Sequence, residues 1–278
     1  AIAMQSARRV LLVGDHLQLP PLYSDAHKAA LARKLGINNS RTEIDEVLRS
    51  DFARAFNSAY GAQASAALLT QYRMAPPIGD LVSKTFYDRK LLNGERAIPD
   101  VYRQAPEALC SVVTWLDTAN LGHRAHHLED RGTSIYNRCE ADEIISVLKQ
   151  VSDNEEFVAQ LSKLVNKDEA AIGVICMYAE QKRLLRQKFN QEIWSEGFKD
   201  IVKIDTVDSY QGKENRIIIL SLTRSDKQHS PGFLRAPNRI NVAMSRAMDR
   251  LLIVGNADIW KGNNKELPLG YVVSYMAE

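Results

Sequence analysis

Polar residues that could bind a ligand are concentrated in one short turn between two β-branched segments. The segments are residues 201–204 and 216–222, and four consecutive apolar residues in the second are typical of a strand buried on both faces of a parallel sheet. The turn carries Thr206, Asp208, Ser209, Gln211, Gly212, Lys213 and Glu214. Hydroxyls, an acid and a glycine between buried strands indicate a binding loop, because open α/β sheets hold ligands on the loops at strand ends. The alternative is a solvated turn without a ligand.

Alternating strands and helices are predicted to position this turn. Apolar runs predict strands at residues 8–13, 111–116, 171–177, 201–204, 216–222 and 251–254. Helical spacing predicts helices within 25–56 (with a break at 36–39), at 77–87, from Asn137 as N-cap to about 151, at 155–165, 180–194 and 237–246, and a helical turn at 257–261. Residues 117–136 are predicted to be a long loop. This alternation predicts a parallel sheet covered by helices.

The composition bounds the class of protein without deciding its partner. The chain has 278 residues, 45% of them apolar and 25% charged, with a net charge of +2, which neither requires nor excludes a nucleic acid. Its three cysteines, Cys110, Cys139 and Cys176, form no C-x-x-C pair, so we expect a reducing compartment. The sequence shows no apolar stretch of about 18–20 residues and no signal peptide, so no membrane partner is expected. Because the first residue is alanine, the chain is expected to be a piece of a longer protein.

Four motifs, in this order and spacing, carry a resemblance to a known family. They are GDHLQLPP at 14–21, QYRM at 71–74, VDSYQGKE at 207–214 and NVAMSRA at 241–247. Together they resemble superfamily 1 helicases, most closely the Upf-like nucleic-acid translocases, over nearly the whole chain. The resemblance implies an α/β, RecA-like (P-loop NTPase-like) parallel sheet with helices on both faces. It implies that residues 1–70 are the C-terminal remnant of a first RecA-like domain and that 71–278 form the second.

The same resemblance implies ligands and partners. Members close two RecA-like domains on ATP with Mg²⁺ and move on single-stranded DNA or RNA, here 5′ to 3′ by resemblance only. The partner of this chain in cis would be the missing N-terminal RecA-like domain, and the location would be cytoplasmic, or nuclear in a eukaryote.

Three residues match the family's catalytic positions. Gln18 matches a glutamine whose amide can bind the γ-phosphate or orient the attacking water. Arg73 and Arg246 match the two arginines that reach the γ-phosphate from the second domain. A planar, always-charged guanidinium suits that role because it spreads phosphate charge over several donors. Without the resemblance, Arg246 reads as a helix-cap stabiliser and Arg73 as a surface ion pair.

Other positions match the family's nucleotide and nucleic-acid contacts. Tyr72 would stack on the adenine, with Gln71 in a supporting role. Gly212 would let the backbone approach the nucleotide, and Glu214 would hold the ribose hydroxyls. The residues that would touch the single-stranded backbone without reading its sequence are Thr206, Asp208 and Ser209.

Two expected motifs are missing from the chain. There is no G-x-x-x-x-G-K-[ST] sequence, and no Asp-Glu pair suited to Mg²⁺ precedes Gly14. We therefore expect the chain alone neither to hydrolyse ATP nor to unwind a duplex, with the metal held mainly by the missing domain.

Rival interpretations remain open at this point. His123, His126 and His127 with Cys110 or Cys139 could suggest zinc, but their spacing fits no common metal pattern, so loop histidines are favoured. A nuclease would need clustered carboxylates, which the sequence lacks. The basic residues of 182–188 could attract nucleic acid, although a solvated helix face is favoured. The main alternative is a non-enzymatic, helicase-like scaffold, which a degenerate phosphate-binding motif upstream would favour.

Overall fold

The chain consists of two units. A computed structural model describes residues 8–20, 23, 25–36, 50–129, 134–210 and 212–277. The first unit is Ala1–Leu68 and the second Leu69–Glu278. The assignment of residues 1–70 to a preceding motor domain stays a prediction. Within the described ranges, no helix is long and apolar enough to cross a membrane.

The described residues of the first unit form three helices and do not form a predicted strand. The helices are α1 (Asp25–Leu35), α2 (Asp51–Phe56) and α3 (Ala59–Ala64). Helix α1 ends before Gly36, whose φ of 64° ends a helix at little steric cost, as the predicted break requires. The predicted strand at 8–13 is wrong: these residues are not in a strand, and Leu11 and Val13 are 87% and 85% exposed. A buried strand needs hydrogen-bonded neighbours, and the described part of this unit pairs none with it. The predicted helical residues Ile44, Val47 and Leu48 lie outside the described residues.

The second unit is built on a five-stranded parallel sheet. Its strands in chain order are β1 (Thr70–Gln71), β2 (Leu92–Asn93), β3 (Val113–Asp117), β4 (Leu128–Glu129), β5 (Ile135–Tyr136), β6 (Ile172–Cys176), β7 (Val202–Thr206), β8 (Asn215–Ser221) and β9 (Ala247–Gly255). The main sheet has the order β3-β9-β8-β6-β7, with every pair parallel. Two short pairs lie apart from it, parallel β1-β2 and antiparallel β4-β5.

Helices cover both faces of this sheet. They are α4 (Pro76–Phe86), α5 (Arg138–Asp153), α6 (Glu155–Ser162), α7 (Ala179–Gln191), α8 (Pro237–Met244) and α9 (Pro268–Ala277). Ile217 and Ile219 of β8 are buried in the core that α5 and α6 complete. The alternate residues Ile218 and Leu220 are equally buried and face the other side, where α8 packs on β8 and α4 on β9. The predicted parallel sheet between two helical layers is therefore confirmed.

Two segments differ from the sequence prediction. The predicted loop at 117–136 contains a 3₁₀ segment at Ala119–Ala125 and the β4-β5 pair, which are too short to show a periodic pattern. Helix α9 was not predicted, because its sequence includes a proline, a glycine and two valines, which favour helices weakly. Packing of α9 against α4 supplies what local preference does not.

Candidate functional site

Gln71 fixes the turn that carries two of the candidate residues. Its Oε1 accepts hydrogen bonds from the backbone N–H groups of Arg73 (2.9 Å) and Met74 (2.7 Å). Its Nε2 donates to Met74 O (3.0 Å) and to Asn93 Oδ1 (2.7 Å). The amide of Gln71 is thus engaged within the turn, so its direct effect is on the positions of Tyr72 and Arg73.

The same turn is attached to the main sheet at Met248, the second residue of β9. Ala75 N donates to Met248 O at 2.7 Å, and Arg96 Nη1 donates to the same oxygen at 2.7 Å. Pro76 then opens α4, where its missing N–H costs no hydrogen bond. Tyr72 remains on the surface and is 68% exposed.

Arg73 and Glu214 form an ion pair although 141 positions separate them in the chain. The side chains are half-exposed, at 38% and 44%. Arg73 Nη1 also lies 3.4 Å from the carbonyl oxygen of Ser245, the residue that follows α8. The fold therefore brings QYRM, the 207–214 turn and the end of α8 to one place.

Arg246 lies at the same place but is buried, at 3% exposure. Its Nε donates to Val242 O and its Nη1 to Lys213 O, both at 3.2 Å. Helix α8 ends at Met244, so the prediction that the helix extends through Arg246 is wrong. Arg246 instead occupies the link into β9, where its carbonyl accepts the N–H of Asn215 at 3.1 Å.

These residues lie at the amino ends of β8 and β9. Glu214 immediately precedes β8, Arg246 immediately precedes β9, and Asn215 pairs with Ala247. Gly212 stands just before them with a φ of 79°, a conformation that glycine adopts without strain. No atom lies within 4 Å of a Cβ placed there, so the backbone conformation alone favours glycine.

The three candidate nucleic-acid residues begin at the opposite end of the sheet. Thr206 is the last residue of β7 and lies level with Ser221 at the end of β8, both paired with Cys176. Thr206 Oγ1 is 3.3 Å from Ser209 Oγ, and Asp208 pairs with Arg239 of α8 at 3.3 Å. A single common edge for all candidates is therefore not observed, because a parallel connection must return to the amino edge before the next strand.

The connection between the two ends is held at its centre. Residues 207–210 form a 3₁₀ segment, and Tyr210 is fully buried with its hydroxyl donating to Lys203 O at 3.1 Å. Gly173 of β6 makes room for it, since a Cβ at Gly173 would lie 2.7 Å from the Tyr210 hydroxyl. Gln211 lies outside the described residues.

Gln18 belongs to the first unit, where it contacts Asp15. Its Nε2 donates to Asp15 Oδ2 at 3.1 Å, and its backbone N–H donates to Asp15 O at 3.2 Å. The turn packs on α2, where the rings of His16 and Phe56 stack with centroids 4.7 Å apart. The predicted catalytic role of Gln18 stays a prediction.

A buried charge cluster beside the site escaped sequence reasoning. Asp249 is fully buried and is paired with Arg96 and, at 3.5 Å, with Arg216. It also accepts the Tyr102 hydroxyl at 2.9 Å, and the Arg250 guanidinium lies 4.0 Å from the centroid of the Tyr102 ring. Burial and the neighbouring Asp249 raise the pKa of Tyr102, which stays protonated. The available signal was the Asp-Arg pair inside the otherwise apolar strand 247–255.

A second buried acid lies at the carboxyl end of β8. Glu140 Oε2 accepts Ser221 Oγ at 2.8 Å and Thr223 N at 2.7 Å. Asn137 caps α5 by accepting the Glu140 N–H at 3.1 Å, as predicted. Burial raises the pKa of Glu140 to about 8.

The basic helix and the histidines were the rival binding features. On α7, Lys182 pairs with Asp205, Arg186 donates twice to Ile204 O, and Lys188 pairs with Asp142. These charges are used within the domain, and His127 contacts the Ser225 backbone through Nδ1. Within the part of the chain that the structure describes, no group of three or more His, Cys, Asp or Glu side chains could hold a metal ion.

The sheet order and the two helical layers define an α/β fold of the RecA-like class. A family model described as AAA domain matches residues 47–258. The regulator of nonsense transcripts 1 homolog of Neurospora crassa is 33% identical over 262 residues, covering 91% of this chain and 20% of that protein. The ATP-dependent helicase NAM7 of Saccharomyces cerevisiae is 31% identical over 260 residues, covering 91% of this chain and 23% of that protein.

A third relative is named for two activities, helicase and nuclease. The DNA replication ATP-dependent helicase/nuclease dna2 of Schizosaccharomyces pombe is 29% identical over 273 residues, covering 94% of this chain and 18% of that protein. This chain thus spans about a fifth of the length of these curated relatives. The chain belongs to the AAA domain family and is a C-terminal domain of the Upf-like superfamily 1 helicases.

Proposed function

We propose that this chain is the C-terminal motor half of an ATP-dependent helicase or translocase that acts on single-stranded nucleic acid. The observation that carries the proposal is the convergence of two arginines from distant motifs: Arg73 pairs with Glu214, and Arg246 donates to the adjacent Lys213. Two neighbouring guanidinium groups, that of Arg73 half-exposed and that of Arg246 buried, can neutralise the charge that spreads over a transferring phosphoryl group. A first motor domain in cis would supply the phosphate cradle and the metal ligands.

The remaining candidates have separate tasks in this proposal. Tyr72 is exposed and offers a ring face to the nucleotide base, and Glu214 binds the ribose hydroxyls. Thr206, Asp208 and Ser209 lie at the far end of the 207–214 turn, where they contact the nucleic-acid backbone. We also propose that the protein moves 5′ to 3′ along the nucleic acid, because of its resemblance to the Upf-like family.

Nucleotide binding by both Arg73 and Glu214 requires their ion pair to open. The pair is half-exposed, and such pairs contribute only about 0–1 kcal/mol because water solvates the separated charges well. Phosphate and ribose contacts can replace it at little cost. The ion pair therefore holds the Arg73 and Glu214 side chains at the surface of the candidate site without preventing nucleotide binding.

Substitution of each arginine in the full-length protein tests the proposal. Arg73→Ala and Arg246→Ala are each expected to lower ATP turnover by about 10³-fold or more while nucleotide binding persists, because the fingers stabilise the transition state. Arg103→Ala is the matched control, since Arg103 is 82% exposed and forms an exposed ion pair with Asp100, and it should leave turnover unchanged.

Equal turnover in the parent protein and both variants would rule out the finger assignment. A full-length protein that binds nucleic acid but turns over no ATP would favour the non-enzymatic scaffold. Turnover by the 278-residue chain alone, abolished by Arg246→Ala, would contradict the need for a first motor domain.

A further inference from the structure

The ring of Tyr72 lies directly against Gly94. A Cβ placed on Gly94 would lie 2.1 Å from Tyr72 Cε1, 2.3 Å from Cδ1 and 2.8 Å from Cζ, all well inside van der Waals contact. Tyr72 is nevertheless 68% exposed, so the ring is covered on the Gly94 side and open elsewhere. The ring is a surface group resting on backbone.

The backbone of Gly94 is held firmly in that position. β1 and β2 pair Gln71 with Asn93, and Gly94 N donates to Gln71 O at 2.8 Å. Asn93 is fixed in turn, since its Nδ2 donates to Asp80 Oδ1 at 2.7 Å and to Pro76 O at 3.3 Å. The backbone under the ring is therefore hydrogen-bonded to the turn that carries Tyr72 and, through Asn93, to α4.

Gly94 is not required by its backbone conformation. The glycines with positive φ in the described chain are Gly36, Gly122, Gly197, Gly212, Gly232 and Gly262, and Gly94 is not among them. Alanine could adopt its backbone angles without strain. What alanine could not do is leave the Tyr72 ring where it lies.

We propose that Gly94 is a positioning residue for nucleotide binding: it supports one face of the Tyr72 ring so that the other face is presented to the base. This inference rests on the proposed function, in which Tyr72 stacks on the base. A stacking side chain that is already oriented loses less conformational freedom on binding than one that moves freely over the surface. Because Gly94 has no side chain, the supported ring lies close to the backbone.

Recognition at this platform involves the flat face of the base. The amide of Gln71, which precedes Tyr72 in the turn, is engaged with Arg73, Met74 and Asn93. Stacking on an aromatic ring tolerates any base, since each has a π face. The Gly94 and Tyr72 pair thus contributes affinity for nucleotides as a class.

A double-mutant cycle in the full-length protein tests the role of Gly94. The probe is ADP, titrated calorimetrically against the parent protein, Tyr72→Ala, Gly94→Ala and the double variant. Tyr72→Ala is expected to weaken ADP binding by about 5- to 150-fold, the range of base stacking. Gly94→Ala is expected to weaken it by a smaller factor, about 3- to 30-fold, and to have no further effect once Tyr72 is alanine. Glu95→Ala, at the neighbouring exposed position, is the control and should not change the affinity.

Turnover provides a second readout that a merely structural role would not give. In Gly94→Ala the KM for ATP should rise while kcat at saturating ATP stays within about twofold, because the lost contact is equal in ground and transition states. The melting temperature should stay within about 2 °C of the parent value, since the exposed ring can turn aside without disturbing the core. If Gly94→Ala does not fold, Tyr72→Leu in the same background should restore folding by removing the ring.

Two binding results would overturn the inference about Gly94: unchanged ADP affinity in Gly94→Ala, or an equal loss of affinity with and without the Tyr72 ring. If Gly94→Ala does not fold, failure of Tyr72→Leu to restore folding would overturn it as well. Each leaves the stacking role of Tyr72 intact if Tyr72→Ala still weakens binding. Unchanged affinity in Tyr72→Ala would instead contradict the proposed function at this position.

Discussion

Two fully buried acids lie at opposite ends of the parallel sheet, and their surroundings differ. Asp249, near the amino end of β9, is paired with Arg96 and Arg216. Glu140, at the carboxyl end of β8, is bonded to a hydroxyl and a backbone N–H, both neutral. Burial alone disfavours a charged carboxylate, and of these two acids Asp249 is the one with guanidinium groups beside it.

This difference separates two ways of building a sheet edge. At the amino end, the guanidinium of Arg96 ties the segment after β2 to β9 through Asp249 and Met248 O. At the carboxyl end, Glu140 joins α5 to the loop after β8 through neutral hydrogen bonds and has a pKa raised to about 8. The edge with the candidate nucleotide residues is therefore stabilised by ion pairs of Asp249. The other edge is stabilised by the protonated form of Glu140.

Removal of Asp249 should give the largest effect. Asp249→Ala leaves Arg96 and Arg216, whose side chains are mostly covered, without their buried acid, and breaking a buried pair costs about 3–5 kcal/mol. Urea unfolding of the 278-residue chain measures the loss. The matched control is Asp258→Ala, because Asp258 is half-exposed and paired with exposed Lys261, and it should cost less than about 1 kcal/mol. Similar losses in both variants would show that the Asp249 cluster contributes no more than a surface pair.

Glu140→Gln should change the pH dependence of stability. Because the folded pKa of about 8 lies above the ordinary 4.5, the folded chain keeps a proton that the unfolded chain releases, so stability should fall as pH rises from 4.5 to about 8. Glutamine retains an acceptor for Ser221 and Thr223 but does not titrate. Relative to the parent, the variant's free energy of unfolding should rise by about 2–4 kcal/mol across this window. Above pH 8 the difference should stay constant.

Unfolding in urea at about pH 5, 6.5, 8 and 9 checks this expectation, with the difference between parent and variant plotted against pH. Glu143→Gln on the same helix is the control and should reproduce the profile of the parent. A constant difference between parent and Glu140→Gln at all four pH values would mean that Glu140 is ionised in the folded chain.

Arg96→Lys should give the smallest of the three effects. Arg96 uses its planar fork to bind both Met248 O and Asp249, and a lysine keeps the charge but cannot reproduce both bonds. A loss of about 1–2 kcal/mol in the same unfolding assay is expected. Arg103→Lys, at an 82% exposed side chain, should be nearly neutral. If both lysine variants are equally stable, charge alone accounts for the contribution of Arg96.

Local features of the fold were predictable from the sequence, and partners distant in the chain were not. Asn137 was predicted as the cap of α5 and accepts the Glu140 N–H. The carboxylate of Glu140 instead reaches Ser221 and Thr223, more than 80 positions away, which no local pattern encodes. The predicted strand at 8–13 is wrong for the related reason that its apolar pattern says nothing about available neighbours.

The candidate site divides in the same way. Tyr72, Arg73, Glu214 and Arg246 were identified through their motifs, and three of them are now seen to meet through backbone and ion-pair contacts. Gly94 and Asp249 belong to no motif that was identified. Gly94 matters through the space beneath a ring, and Asp249 through two arginines from separate segments, Arg96 and Arg216, so neither could be found from a local pattern.

The buried Tyr210 limits how far the segment 206–214, which connects the two sheet edges, can move. Only four positions separate it from Thr206 on one side and from Glu214 on the other. Four residues can extend at most about 14 Å, so neither end can shift far without straining the anchor. A displacement of Glu214 would therefore strain the connecting segment as far as Thr206.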